Sequence, residues 1–207
     1  YKRQVLDRPG IEGAKWMCSP PQRTQADQAA LWEGLDDGTL DLVSSDHAPY
    51  RFDTTGKLSN GTDVDFSKIA NGLPGLEVRM PLMFDAMLTG QIGSKSFVAM
   101  CCTLPASIHG LGAKGDIQHG FDADIVLWDP NAQTTYGEND LHDNVGYNPW
   151  VGRTVRGAPS TVLLRGQTIV ENGSLVGDPG TGQWIARPHM GVSTNAQPAL
   201  EYVEATK

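Results

Sequence analysis

The chain has 207 residues, 39% hydrophobic and 19% charged, which permits a packed core and excludes global disorder. Lys and Arg total 16 against 24 Asp and Glu, a net charge of -8. That balance argues against a nucleic-acid or anionic-membrane partner, since each calls for a basic face. No apolar run approaches the roughly 20 residues of a membrane span. Cys18, Cys101 and Cys102 show no C-x-x-C spacing and sit in apolar stretches. They are expected to be buried free thiols of a cytoplasmic protein. The first residues, Tyr1-Lys2-Arg3-Gln4, carry neither an initiator Met nor a signal-peptide core, and read as a chain entered in its middle.

In chain order, Ala14 to Ser19 is apolar and β-prone, and Pro20-Pro21 ends it, so a strand giving way to a loop is expected there. Thr24 to Leu35 reads as a helix with Thr24 as its N-cap. Asp37-Gly38 marks a turn, and Thr39 to Ser45 reads as a second strand leading into Asp46-His47-Ala48-Pro49. Strand, helix and strand together predict a βαβ unit with a parallel pair. Arg51 to Ser67 is polar and reads as a surface loop, followed by a tight turn at Asn71-Gly72-Leu73-Pro74-Gly75. Leu76 to Leu88 reads as an apolar helix, with methionines filling gaps in a core and Pro81 in its first turn or bending it. A further helix is expected from an N-cap at Ser94 to about Cys102, running on past Pro105.

From Lys114 the texture becomes β-only. Ala123 to Trp128 is a predicted strand, and Ser160 to Leu164 and Gln167 to Glu171 flank Arg165-Gly166 as a hairpin. A boundary near Gly112 would separate an α/β part from a small β part. The tail after Pro188 is polar and loosely patterned.

Four places carry candidate chemistry. Asp46, at the end of an expected strand, is either a metal ligand and proton acceptor or a turn-capping carboxylate. Its neighbour His47 points to the opposite face of a strand and reads as a structural histidine. Ser19 either offers hydroxyl and backbone groups to a substrate amide or caps a plain loop. Asn71-Gly72 is either a ligand-contacting turn or an ordinary one. The acids Asp116, Asp122 and Asp124 do not fit a calcium loop and are expected to form turns. The sequence has no P-loop, G-x-S-x-G, H-E-x-x-H or H-x-H.

Taken together, GAKWMCSPP, LVSSDHAPY, FSKIANGLPGLEVRMPLMF, GFDADIVLWDP, HDNVGYNPWVGRTVRG and VLLRGQTIVENG resemble, in order, the C-terminal portion of D-hydantoinases and dihydropyrimidinases, members of the amidohydrolase superfamily. The resemblance implies an α/β fold. Residues 1–112 would be the last strands and helices of a (β/α)₈ TIM-like barrel. Residues 113–187 would be part of a small β-sandwich, and 188–207 a tail reaching a neighbouring subunit. By the same resemblance Asp46 ligates one of two zinc ions and shuttles the proton, while Ser19 and Asn71 hold the cyclic amide, largely through main-chain atoms. The implied reaction is attack of a metal-bridging hydroxide on the ring carbonyl. Asp46 would pass the proton to the leaving ring nitrogen.

The family's H-x-H pair, carboxylated lysine and further histidines belong to strands absent from this sequence, so the segment alone is expected to be inactive. Its implied partners are a small cyclic amide, the N-terminal remainder of the enzyme and further copies in a dimer or tetramer. Ser19, Asp46 and Asn71 are expected to converge on one cleft. An allantoinase- or dihydroorotase-like cyclic amidase is the alternative substrate class. A non-catalytic dihydropyrimidinase-related scaffold is the alternative of another kind.

Overall fold

The protein is described by a computed structural model covering residues 3–187. The described residues form two compact units that alternate along the chain. The first holds residues 3–33, 44–83 and 133–155, and the second holds 34–43, 84–132 and 156–187. The tail contact expected after Pro188 lies outside the described residues.

Helix α1, Gln25–Asp36, begins where the sequence places it. The Thr24 side chain and Asp27 form a reciprocal cap: Asp27 Oδ2 accepts from the Thr24 backbone N–H at 2.9 Å and from its hydroxyl at 2.6 Å. These bonds, the side-chain bond first, hold the Asp27 carboxyl below its usual range. Helix α2, Leu76–Leu88, has its expected bounds and continues through Pro81. Within the first unit, Val78, Tyr136 and Val155 are buried together, with Leu82, Leu141 and Trp150 packed around them.

In the second unit α3, Ser94–Val98, passes through a π-helical turn, Ala99–Thr103, into α4, Leu104–Ile108. The residue preceding α3 is Gly93, so Ser94 is its first residue rather than its cap. The helix runs on past Pro105, as expected. The wider turn accommodates a proline ring that would otherwise meet the carbonyl four residues back. Phe84, Phe97 and Trp128 form the aromatic core: Phe84 stacks on Trp128 at 4.2 Å, and Phe97 meets both edge-on. Gly157 lies against this cluster with φ +81°, where a Cβ would come within 2.3 Å of the Phe84 ring.

The sheet contains β1, Ile125–Thr135, β2, Thr154–Leu164, β3, Gln167–Glu171, and β4, Ser174–Leu175, in that spatial order. Strands β2 and β3 are antiparallel and close on Arg165-Gly166, both left-handed at φ 48° and 79°. A two-residue turn of that hand matches strand twist. The Asn172-Gly173 turn repeats it and adds β4, which the sequence reading omits. The expected acids are turn and ion-pair residues. Lys114 bridges Asp122 at 2.8 Å and Asp124 more closely, and Asp124 accepts the Arg165 backbone N–H at 2.8 Å.

Two expected strands are corrected. Residues Gly10–Trp16 coil into a 3-10 helix, so Ala14 to Ser19 is not a strand. Gly13 permits this tight path, since a Cβ there would lie 2.5 Å from the Leu6 carbonyl oxygen. Thr39 to Ser45 forms no ladder among the described residues, and the βαβ pair is therefore absent there. What remains is a single parallel bridge between His47 and Leu73. A strand exists only through a partner backbone, and β-prone composition does not supply one. The cysteines also depart from expectation: none is in a disulfide, but all are half-buried rather than buried.

Candidate active site

The three candidate residues all belong to the first unit. Ser19 is exposed, just beyond the 3-10 helix that ends at Trp16, and a cis peptide joins it to Pro20. Asn71 is exposed beside the buried Gly72. Gly72 is required by space: a Cβ there would lie 2.6 Å from Ala48 Cβ and from its carbonyl oxygen. The Gly72 N–H donates to the Met17 carbonyl at 2.9 Å, which draws the Asn71 turn to the Ser19 loop. Ser19 and Asn71 thus line one cleft of about 700 Å³, with Met17, Cys18, Val64 and Ile69 among its walls.

Asp46 is exposed and is not part of that cleft lining. The strand expected to carry it is missing. Its φ of 43° places it in the left-handed region, which costs a non-glycine residue but which Asp tolerates better than most. Its charge reaches the Cys18 thiol. Burial is the main cause that pushes that thiol above its usual value; Asp46 adds to the rise and Lys57 opposes it.

His47 is structural, as the sequence suggests. Its Nδ1 accepts the Gly75 N–H at 3.0 Å and the Leu76 N–H at 3.3 Å. It thereby caps the first turn of α2, and the ring proton falls to Nε2.

The residue missed by sequence reasoning is Lys57. It is 1% exposed, and its Nζ donates to the Met17 carbonyl at 3.1 Å and the Ala70 carbonyl at 2.9 Å. Burial lowers its pKa to about 8. A lone lysine in a polar loop carries no sequence signal of burial. Its acceptors are backbone carbonyls 40 and 13 residues away.

Comparison with known proteins decides the family. The amidohydrolase family matches residues 11–169. The chain belongs to that family. It is 42% identical over 183 residues to the D-hydantoinase of Rhizobium radiobacter, covering 88% of this chain and 39% of that protein. A solved D-hydantoinase structure superposes with a TM-score of 0.84 at 40% identity, over 90% of this chain and 40% of the other. The dihydropyrimidinase of Brevibacillus agri superposes with a TM-score of 0.82 at 41% identity, over 89% and 40%. The resemblance to D-hydantoinases and dihydropyrimidinases holds, and the chain spans about two-fifths of the length of these relatives.

The described residues do not by themselves complete a metal centre. Among the described residues no three His, Cys, Asp or Glu side chains cluster as a metal site would need. Asp46 offers a single carboxylate, and His47 Nδ1 is already occupied by backbone donors. Among the described residues no helix is long and apolar enough to cross a membrane.

Proposed function

We propose that the complete amidohydrolase containing this chain opens cyclic amides of the hydantoin and dihydropyrimidine class, with Asp46 as its proton-transferring carboxylate and Ser19 and Asn71 holding the ring. The observation that carries this reading is the meeting of Ser19 and Asn71 on one cleft in a chain 42% identical to a D-hydantoinase. A cleft of about 700 Å³ has ample room for one small ring. The left-handed backbone at Asp46 is a local cost of the kind that functional sites retain. When bound, a zinc pair would supply Lewis-acid activation, with Asp46 as one ligand and the others from the rest of the protein. The residues of this chain account for ring binding and proton transfer: main-chain groups at Ser19 and Asn71 orient the amide, and the Asp46 carboxylate carries a proton to the ring nitrogen.

The same reading assigns residues 1–112 to the end of a barrel and 113–187 to part of a β-sandwich. The segments 14–19 and 39–45 would gain strand partners from upstream sequence. Large exposed apolar side chains support a covering partner, among them Phe66 at 71% and Trp184 at 87% exposure. A cytoplasmic homo-oligomer is the assembly this reading implies.

The test is ring opening of hydantoin and dihydrouracil by the complete protein, followed by loss of ultraviolet absorbance. Replacing Asp46→Asn should lower kcat by about 10³-fold, the scale of general acid–base catalysis, while binding persists. Activity within about threefold of the wild type would remove Asp46 from the mechanism.

A further inference from the structure

Lys57 is almost fully buried, although its loop is polar. An apolar side chain could fill the same space without desolvating an ammonium group. The ammonium instead joins two points that are distant in sequence. Its two acceptors are the carbonyl of Met17, two residues before Ser19, and that of Ala70, next to Asn71. The Met17 carbonyl also takes the Gly72 N–H, so the Lys57 ammonium and the Gly72 N–H share one acceptor in the cleft wall.

We propose that Lys57 is a positioning residue for substrate: it clamps the Ser19 loop to the Asn71 turn and so fixes the spacing of the groups that grip the ring. This rests on the assignment of Ser19 and Asn71 to ring binding. The clamp also acts electrically. The Ala70 carbonyl and the Asn71 N–H belong to one peptide unit, and a cation on the carbonyl strengthens that N–H as a donor. Both bonds survive loss of a proton, because a neutral amine keeps two N–H donors for its two carbonyls.

The experiment uses the complete enzyme, with ethyleneurea, the hydantoin ring lacking the carbonyl that is attacked, as a binding probe. Amide hydrogen exchange in wild type should slow at residues 17–22 and 70–73 when the probe is added. If it does not slow, the ring-binding assignment fails and the clamp proposal falls with it. If it does slow, Lys57→Met decides the matter. KM for hydantoin should rise about tenfold with kcat within about threefold, and Gly72 exchange should accelerate. A wild-type KM in folded Lys57→Met, with the probe still protecting the wild type, would reduce Lys57 to a structural role and overturn the proposal alone. If Lys57→Met does not fold, Lys57→Gln serves, since its shorter donor reaches one carbonyl at most. Its KM should rise at least threefold with little change in Tm, and an unchanged KM overturns the clamp.

Discussion

Strand β3 and the segment Thr39 to Ser45 have similar claims on paper, and only one becomes a strand. Gln167–Glu171 lies two residues from the end of β2, across a turn whose residues sit at φ 48° and 79°. Closing that loop is cheap, and the partner is guaranteed by the turn. Thr39 to Ser45 has no such neighbour, and among the described residues its backbone joins no ladder. Apolar, β-prone composition states that a segment suits a sheet; it does not provide the second strand. The strands β2 and β3 are therefore paired through a turn of their own sequence, whereas Thr39 to Ser45 finds no partner strand among the described residues.

The first way to break this comparison is through the aromatic core of the second unit. If that region is held by its own residues, it must be intolerant of a cavity. Phe97 is 7% exposed and touches both Phe84 and Trp128 edge-on. Phe97→Ala should cost about 3–5 kcal/mol of unfolding free energy, read from the urea midpoint of the complete protein. A loss below about 1 kcal/mol would mean that the cluster does not organise the unit.

A pH series separates the first unit from the second with a smaller effect, because the amine keeps both of its bonds when neutral. Lys57 has an ordinary pKa of 10.5 and a folded value of about 8, lowered mainly by burial. Between those values the unfolded chain still holds a proton that the folded chain has released. The unfolded state binds more protons, so this group makes stability rise with pH from about 8 to 10.5 and contributes no slope well below 8. Cys18 acts in the opposite sense, since its raised pKa makes stability fall as pH rises past 9.0. Asp46 is among the charges acting on that thiol. The observable is the difference between wild type and Lys57→Met, in which the groups that do not interact with Lys57 cancel and only its neighbour Cys18 adds to the Lys57 contribution. The wild type should gain on the variant through this window. A flat difference would show that Lys57 is not desolvated.

What the sequence made legible follows the same division. The Thr24 cap and the Arg165-Gly166 turn are short-range devices, and each appears at its expected residues, with Asp27 added as the partner of Thr24. The bounds of α2 were legible because its apolar run follows a glycine–proline turn. The joining of Ser19 and Asn71 was reached through resemblance, since nothing in either tripeptide names the other. The 3-10 helix that replaces the start of the Ala14 strand packs Gly13 closely against the Leu6 carbonyl, an approach that no periodicity encodes. Burial of Lys57 was illegible for the same reason: its partners are main-chain oxygens, and every residue has one.

The smallest effect tests whether the hairpin turn itself sets the register. Gly166 has φ +79°, and a Cβ there would meet only Ala123 Cβ at 3.9 Å, an ordinary contact. Gly166→Ala therefore adds a left-handed alanine and no clash, unlike Gly157, where the Phe84 ring stands 2.3 Å from the same added atom. The cost should be about 1 kcal/mol, seen as a lower urea midpoint with an unchanged m-value. Gly166→Asn should cost less, because asparagine tolerates that conformation. The Gly166 N–H donates to the Ala123 carbonyl at 2.9 Å, and the Arg165 N–H donates to Asp124 at 2.8 Å, so the turn is tied to the residues just before β1. These bonds should keep the register in both variants, with the amide exchange pattern of β2 and β3 unchanged. A shifted exchange pattern would show that the turn's conformation, and not these bonds, holds the two strands in place.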